Sequence, residues 1–362
     1  MSLKTTVILI GLLWVGAITA LHLTINLHAF DSADAATTGG SGTGGAGGGG
    51  TGGPRFKVGY IPVTCHLTCP VTNFINKAET GQGTFEPMRF NGFAEIKEMF
   101  LSKRLEATFI LAPLAMSLRE AGAPIKVVYL GHRDGTALVV RRESGIRRVE
   151  DLRGKTVAIP NRYSNQRIML HRALKKRGMS LSDVTLLEMN PPDMPISLQT
   201  GAVDAITSGE PYMGQAELDG YGRVLYQAKD EWPGFISCVL AVREDVIRDR
   251  RADVQALVDG IARSGKWIDQ SHDHRMAAAD AAAGPDYYNL KNPDLMRFVL
   301  SKPVDRVRYS NLTVLRKDFE EIEQLGRESG VLKGTARFED YADPSFVRDN
   351  NDIKAWDWEP KK

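Results

Sequence analysis

Cys65, His66 and Cys69 lie within one stretch of five residues. Thiolates and imidazoles bind copper, zinc and other thiophilic ions, so a metal site is one interpretation of this cluster. A protein metal site usually takes a further ligand from another part of the chain. Three candidates for that ligand are Met116, His132 and Cys238.

The same cluster has other interpretations, which the sequence leaves open. Cys65 and Cys69 can form a disulfide in an oxidising compartment, because helical i,i+4 spacing falls near the upper end of the Cα separations that a disulfide spans. They can instead pack as small apolar groups. Alternatively, Thr64, Cys65 and His66 contact an organic or oxyanion ligand directly. We predict no cofactor.

Two further polar groups are predicted to follow strands of a first lobe. Asn91 and Gly92 precede a predicted helix, where glycine permits close backbone approach and helix N-terminal amides attract anions. An ordinary N-cap explains the same pair. Arg133 can bind an anionic ligand bidentately, or it can pair with Asp134. His132 is a candidate ligand contact or a structural histidine.

Two more groups are predicted in a second lobe. Arg162 and Tyr163 can clamp or stack on a ligand, and Ser164 and Asn165 open a helix whose amides suit an oxyanion. Plain helix capping by Ser164 is the alternative. Glu210 can accept a hydrogen bond from a ligand N–H, or it can bond backbone amides and hold the hinge in an architectural role.

The elements that position these residues alternate between short apolar strands and helical patterns. The first set comprises strands at 56–61, 107–111 and 125–130, a strand ending at 89–90, and helices at 92–103 and 114–121. The second set comprises strands at 156–159, 184–188, 203–207 and 224–226 and helices from 164 to 177, from 195 to 200 and up to 218. This rhythm predicts two α/β lobes, each with a parallel sheet.

Extended apolar stretches at 136–141 and 235–242 are predicted to cross between the lobes. Two crossings make a hinge, and the cleft beside it is where ligands bind at the carboxyl ends of parallel strands. The predicted domains are lobe 1 at 55–135, lobe 2 at 136–238, and a return to lobe 1 with a C-terminal tail at 239–362.

The N-terminal region predicts export. Lys4 precedes an uncharged run from residue 5 to 30, long enough to cross a bilayer. Residues 1–30 are therefore a membrane anchor, or a signal segment cut near residues 33–35. No cysteine precedes Cys65, which excludes a lipoprotein signal. The Gly-rich residues 31–54 are predicted to be a flexible linker.

Charge is nearly balanced over the 362 residues, with 46 basic and 44 acidic side chains. A net charge of +2 supplies no field that would steer the protein onto nucleic acid. The sequence contains no nucleophile elbow, phosphate loop or zinc-protease helix. We therefore predict a binding protein with no catalytic residues.

Several segments, in order along the chain, resemble the periplasmic solute-binding proteins for nitrate, bicarbonate, sulfonates and taurine, with the related thiamine-pyrimidine-precursor branch. They are Gly59-Tyr60-Ile61-Pro62, the run 111–118, the run 149–159, Pro191-Pro192-Asp193-Met194, the run 198–203 leading to Gly209-Glu210-Pro211, Trp232-Pro233-Gly234 and the run 239–245. The resemblance implies a two-lobed periplasmic-binding-protein fold, adds Ala112 and Pro113 to the ligand contacts, and implies ABC permease subunits as partners.

The function that this resemblance implies is capture of a small ligand for an ABC importer. The implied ligand is an oxyanion or sulfonate, such as nitrate, bicarbonate or a taurine-like compound. Alternatives are a receptor for a metal or a thiamine precursor, or an enzyme similar to the pyrimidine-precursor synthases on the same fold.

Overall fold

The computed structural model describes residues 56–347 and 353–360. The predicted anchor or signal segment (1–30) and the predicted linker (31–54) lie outside the described residues. Among the helices that are described, none has both the length and the apolar character needed to cross a membrane.

The strands and helices are numbered here in chain order. The strands are β1 Lys57–Tyr60, β2 Glu86–Arg89, β3 Ala107–Leu111, β4 Ile125–Leu130, β5 Arg133–Asp134, β6 Thr136–Arg141, β7 Thr156–Ile159, β8 Thr185–Glu188, β9 Ala205–Gly209, β10 Gly222–Gln227, β11 Cys238–Arg243 and β12 Val307–Arg308. The α-helices are α1 Thr68–Thr80, α2 Phe93–Leu101, α3 Ala112–Glu120, α4 Asn165–Lys175, α5 Met194–Gln199, α6 Tyr212–Leu218, α7 Ala228–Glu231, α8 Glu244–Asp249, α9 Arg251–Gln270, α10 His272–Ala283, α11 Asp294–Ser301, α12 Arg316–Glu328 and α13 Phe338–Tyr341.

The sheet of the first lobe has the strand order β2-β1-β3-β11-β4. β1 pairs in parallel with β2 and β3, whereas β11 runs antiparallel to β3 and β4. All five residues of β3 are buried, as expected for a central strand covered on both faces. α2 packs on β3, and the long amphipathic α9 packs on α1.

The sheet of the second lobe has the order β10-β6-β9-β7-β8. β7 pairs in parallel with β8 and β9, whereas β6 runs antiparallel to β9 and β10. α4 follows β7 and begins as predicted, with the Oγ of Ser164 accepting a hydrogen bond of 3.2 Å from the backbone N–H of Arg167.

Both sheets are mixed, so the prediction of parallel sheets was wrong for one strand in each. The first residue of β6 pairs with the last residue of β9, Thr136 with Gly209. In the same way, the first residue of β11 pairs with the last of β3, Cys238 with Leu111. In each sheet the chain arrives from the other lobe at the side where the carboxyl ends of the parallel strands lie. The arriving strand, β6 or β11, must therefore run antiparallel to them. The crossing connections therefore lie at the carboxyl ends of the parallel strands.

Two short connections join the sheets, residues 131–135 and residues 228–237. They end at or directly before the predicted domain boundaries at 135 and 238, which stay predictions. The chain after β11 contacts both lobes, because α9 packs on α1, α11 packs on α6, and α12 packs on α4. The two-stranded β5–β12 pair adds a further tie at the first connection.

Candidate functional site

The loop after β1 is held in one conformation by buried hydrogen bonds. The backbone N–H of Ile61 donates to Nδ1 of His66 at 2.8 Å, which closes the turn. The hydroxyl of Tyr288 donates to the carbonyl of Val63 at 2.7 Å, and the hydroxyl of Tyr309 donates to the carbonyl of Thr64 at 2.9 Å. Residues Thr64–His66 form a short 3-10 helix that leads into α1.

Two sulfur atoms meet beneath this loop. Sγ of Cys65 lies 2.8 Å from Sγ of Cys238, the first residue of β11, and donates a hydrogen bond to it. The Cys65 and Cys238 sulfurs and a ring nitrogen of His66 all lie within 4.8 Å of one another. The structure thus brings Cys238, rather than the predicted Cys69, to Cys65 and His66. All three cysteines are buried free thiols.

The two thiols differ in their electrostatics. Burial raises the pKa of Cys65, and its hydrogen bond to Cys238 raises it further. Burial also opposes ionisation of Cys238, but the hydrogen bond from Cys65 and the nearby His66 outweigh it and lower the pKa of Cys238. The Oγ of Ser237 lies 3.7 Å from the same sulfur. Cys238 is therefore the more readily ionised thiol of the pair.

His132 lies on the first connection and contacts the same loop. Its Nε2 is 3.1 Å from Oγ1 of Thr64, and its ring meets that of Tyr309 edge to face. Burial lowers the pKa of His132 to about 3, so the imidazole is neutral at ordinary pH. Nδ1 of this ring is buried without a hydrogen-bond partner among the described residues.

The second lobe contributes the first turn of α4. The Nδ2 group of Asn165 donates to the carbonyl of Ile236, and Nε2 of Gln166 donates to Oγ of Ser237 at 3.0 Å and to Oγ1 of Thr136 at 3.3 Å. Oδ1 of Asn165 and Oε1 of Gln166 are buried, and within the described chain they have no partner.

These contacts define what we call the polar floor, a set of buried side chains drawn from both lobes and both connections. Its members are Thr64, Cys65, His66, His132, Thr136, Asn165, Gln166, Ser237 and Cys238. A buried polar atom without a partner costs about 1–3 kcal/mol, so several such atoms in one place point to a bound partner. The floor can bind a small polar ligand through hydrogen bonds.

Arg133 and Glu210, two charged residues that were predicted to contact the ligand, instead form ion pairs with other side chains of the protein. The guanidinium of Arg133 lies 2.6 Å from a carboxylate oxygen of Asp318 and donates to the carbonyls of Gly234 and Asn311. Arg133 therefore fastens the first connection to the region of α12.

Glu210 is engaged at both carboxylate oxygens. Oε1 accepts from Arg306 at 3.0 Å, and Oε2 accepts from the backbone N–H of Gly214 at 2.6 Å. Burial raises the pKa of Glu210 against the opposing charge of Arg306. This is the architectural arrangement that the sequence analysis gave as the alternative to ligand contact.

The remaining predicted residues lie around the floor. Ala112 and Pro113 begin α3, and the backbone N–H of Ala112 donates to the carbonyl of Ser237 at 3.1 Å. Arg162 pairs with Glu188 at 2.8 Å and is exposed. Together with Tyr163 it lines a side cleft of about 590 Å³ that α2 and α3 border on the first lobe.

Asn91 is exposed, whereas Gly92 is buried at an approach between the lobes. A Cβ placed on Gly92 would lie 2.1 Å from Oδ1 of Asn190, which follows β8. Asn91 lines a second cleft, of about 340 Å³, with residues of both lobes that include Pro62, Pro192 and Tyr212. Ligand contact by these outer residues stays a prediction.

Thr136, Gln166 and Ser237 are not among the contacts predicted from the sequence, and Cys238 is predicted there only as an optional metal ligand. Each is a polar or thiol side chain at the end of an element that enters the cleft. That position was a usable signal for Gln166, which directly follows the predicted contact Asn165. Ser237 and Cys238 lay inside an apolar stretch, where nothing in the pattern marked them.

Two α/β sheets joined by two connections, with buried polar groups where the connections meet the strand ends, define a two-lobed binding-protein fold. The model of the NMT1-like family matches residues 50–283, and the chain belongs to that family. This confirms the prediction that placed the chain among the nitrate, sulfonate and taurine solute-binding proteins of ABC importers.

Curated relatives match parts of the chain. The nitrate import ATP-binding protein NrtC of Synechocystis sp. is 28% identical over 203 residues, which are 51% of this chain and 30% of that protein. The taurine-binding periplasmic protein of Escherichia coli is 28% identical over 169 residues, which are 44% of this chain and 52% of that protein. The matches thus span from under a third to about half of the relatives' length.

Solved structures share the fold at low sequence identity. A zinc-bound ligand-binding component of an ABC-type import system from Staphylococcus aureus has a TM-score of 0.71 at 22% identity, covering 83% of this chain and 98% of that one. The periplasmic nitrate-binding protein NrtA of Synechocystis has a TM-score of 0.73 at 12% identity, covering 80% and 86%. The desulfurization enzyme DszB also has this fold, with a TM-score of 0.56 at 17% identity, covering 80% and 96%.

Proposed function

We propose that the chain is the solute-binding component of an ABC importer, which captures a small oxyanion or sulfonate outside the cytoplasmic membrane and delivers it to permease subunits. The observation that carries the proposal is the polar floor, where buried atoms of Asn165, Gln166 and His132 have no hydrogen-bond partner among the described residues at the junction of the two lobes. The taurine-binding periplasmic protein of Escherichia coli has such a role by its name, and the name of the Synechocystis relative places that protein in nitrate import. Export and membrane attachment through residues 1–30 belong to the same proposal.

The floor suits an anion held by neutral groups. α3 and α4 begin at residues that contact the floor or belong to it, and helix N-termini carry partial positive charge. Arg133, Arg162 and Glu210, the predicted contacts that carry a charge, are each paired with another side chain of the protein. Charge on the ligand is therefore balanced by helix ends, hydroxyls and amides rather than by an ion pair.

Asn165 narrows the choice among anions. The amide nitrogen Nδ2 of Asn165 donates to the carbonyl of Ile236, which can only accept a hydrogen bond. The other amide atom, Oδ1, can only accept, so its partner in a ligand must be a hydrogen-bond donor. Bicarbonate carries an O–H and taurine an N–H, whereas nitrate carries no donor. A nitrate ion would leave Oδ1 of Asn165 unsatisfied, so we propose a ligand of the bicarbonate or aminosulfonate kind.

The proposal is tested by thermal unfolding and calorimetric titration of the full chain with bicarbonate, taurine, nitrate and a simple alkanesulfonate. A ligand present at 100 times its Kd adds about 2.7 kcal/mol to the free energy of unfolding. We expect bicarbonate or taurine to stabilise the protein more than nitrate does. Absence of binding by every anion in the set contradicts the proposal.

Gln166→Ala removes one acceptor from the floor and should weaken binding of the best ligand about tenfold or more, equivalent to about 1.4 kcal/mol. Gln199→Ala is the matched control, because this glutamine is exposed at the end of α5. Equal affinities for the two variants would place the ligand away from the floor.

A receptor, rather than an enzyme, is the role proposed for this chain. The fold alone does not decide between them, because DszB shares it. Recovery of the bound ligand unchanged after prolonged incubation supports the receptor, and its conversion to a product contradicts it.

A further inference from the structure

The two sulfurs of Cys65 and Cys238 lie on segments that are far apart in sequence and meet at the junction of the two lobes. Cys65 belongs to the loop after β1, and Cys238 directly follows the second connection and begins β11. A bond between the two sulfurs would tie the ligand-facing loop to the connection between the lobes. Cys69 is also buried, but it is not part of the group formed by Cys65, His66 and Cys238.

Two chemistries compete for this group, a metal site and a disulfide. Nδ1 of His66 accepts the backbone N–H of Ile61, so neutral His66 carries its proton on Nε2. A protonated Nε2 cannot bind a metal ion, and it is instead available as a donor toward sulfur. Among the described residues, this leaves the group with the two sulfur ligands of Cys65 and Cys238.

The distance between the sulfurs of Cys65 and Cys238 also favours a disulfide over a metal site. Two thiolates bound to one tetrahedral zinc ion at about 2.3 Å lie roughly 3.7 Å apart. In a disulfide the sulfurs are about 2.05 Å apart. The observed 2.8 Å is closer to the disulfide, and reaching it needs only a small movement of two side chains on neighbouring segments.

We propose that Cys65 and Cys238 form a reversible thiol–disulfide site on the polar floor, oxidised by exchange with an external disulfide. Both sulfurs are buried, and Gly209 of the second lobe faces Cys65, because a Cβ placed on Gly209 would lie 3.9 Å from its Sγ. Opening of the cleft, which rests on the proposed receptor function, removes this cover.

The thiol–disulfide exchange needs no metal ion, because the external disulfide accepts the two electrons that the protein thiols lose. The Cys238 thiolate attacks one sulfur of the external disulfide, and a thiolate leaves as the mixed disulfide forms. Cys65, after passing its proton to the departing thiolate, attacks the Cys238 sulfur and expels the second thiolate. The two protein thiols are oxidised to one disulfide, and the external disulfide is reduced to two thiols.

Oxidation changes the ligand site as well as the sulfurs. Thr64 precedes Cys65 and contacts His132, while Ser237 precedes Cys238 and accepts a hydrogen bond from Gln166. Drawing the sulfurs together shifts both neighbours, so oxidised and reduced protein should bind the same ligand with different affinity. Bound ligand, by keeping the cleft closed, should slow the oxidation about tenfold.

The test is oxidation of the full chain with glutathione disulfide, followed by alkylation of free thiols and peptide mass spectrometry. We expect a Cys65–Cys238 linked peptide, about 2 Da lighter than the two thiol peptides together. Cys69→Ser is the control and should keep the link. Cys238→Ser and Cys238→Ala should both lose it and leave Cys65 as a free thiol or a glutathione adduct.

Three results overturn the thiol site: a Cys65–Cys69 link, glutathione adducts with no internal link, or one equivalent of bound zinc or copper that blocks oxidation. Calorimetric titration of the reduced protein reports separately on the receptor function. Ligand binding without a disulfide removes only the thiol site, and a disulfide without ligand binding removes only the receptor function.

Discussion

The neutral state of His132 is a residue-scale consequence of full burial. Its ring is enclosed by the first connection and the loop after β1, with Thr64 and Tyr309 as neighbours. Burial lowers the pKa of His132 to about 3, whereas an unfolded histidine titrates near 6.5. The unfolded chain therefore takes up a proton first as the pH falls.

Because the pKa of His132 is lower in the folded than in the unfolded protein, this side chain alone should make the free energy of unfolding fall at acid pH. Stability due to neutral His132 is complete above about pH 6.5 and is lost progressively as the pH falls toward 3. Between about pH 6.5 and pH 5 the free energy of unfolding should fall by roughly 1.5–2 kcal/mol more in the natural protein than in His132→Gln.

Urea unfolding at the two pH values measures this loss. His272→Gln is the control, because His272 is exposed at the start of α10. The control should keep the full acid loss of the natural protein. An acid loss that His132→Gln leaves undiminished would show that His132 is not held neutral.

The candidate site was predictable where residue type and position at an element end were enough. Thr64, Cys65, His66, His132 and Asn165 all reach the polar floor. Arg133 and Glu210 were equally plausible from sequence, but their partners Asp318 and Arg306 lie 185 and 96 residues away along the chain. A sequence shows that a charge is present and does not show which distant group neutralises it.

At the scale of elements, strand ends approach one another closely enough to exclude side chains. Gly131 follows β4, and a Cβ placed on it would lie 2.2 Å from the carbonyl oxygen of Cys65 and 3.1 Å from that of Cys238. Both contacts are with backbone atoms, which cannot rotate away. Glycine at this position lets β4, β11 and the loop after β1 converge on the floor.

Gly131→Ala should therefore destabilise the protein by about 2–3 kcal/mol, through overpacking against backbone. Gly145→Ala is the matched control, because a Cβ there meets no atom within 4 Å. The control should stay within about 0.5 kcal/mol of the natural protein. Chemical unfolding of both variants measures the difference, and similar values would mean that the loop moves aside freely.

The bounds of several strands could be predicted from the lengths of apolar runs in the sequence. β3, β4, β6 and β7 have the bounds that their apolar runs predicted. The direction of β6 and β11 was not predictable, because it depends on which strand ends lie at the crossing edge. That information comes from pairings such as Cys238 with Leu111, between residues far apart in the chain.

At the scale of the whole molecule, the C-terminal segment joins the two lobes through a buried ion pair. Arg306 follows α11, and its guanidinium bonds Glu210 at 3.0 Å and Glu217 at 2.8 Å. Arg306 and Glu210 are almost completely buried, and Arg306 also lies over the ring of Phe298. This contact fixes the segment between α11 and β12 against the start of α6.

Arg306→Met should cost about 3–5 kcal/mol, because it leaves Glu210 as an unpaired buried charge. The exposed pair of Arg297 with Asp280 supplies the control, and Arg297→Met should cost no more than about 1 kcal/mol. Adding Glu210→Gln to Arg306→Met should restore part of the loss. Urea unfolding at neutral pH measures all three, and equal costs for the two arginine variants would contradict the assignment.

The insertion of β11 between β3 and β4 has a consequence for synthesis of the chain. β6 to β10 are contiguous in sequence, so the second sheet can be completed as soon as residue 227 is available. The first sheet must wait for β11, and between Leu111 and Cys238 the delay is on the order of 10 s at about 5–20 residues per second. During that interval β3 and β4 present unpaired edges that can pair wrongly with each other. The half of the protein that is made first is therefore the half that is finished last.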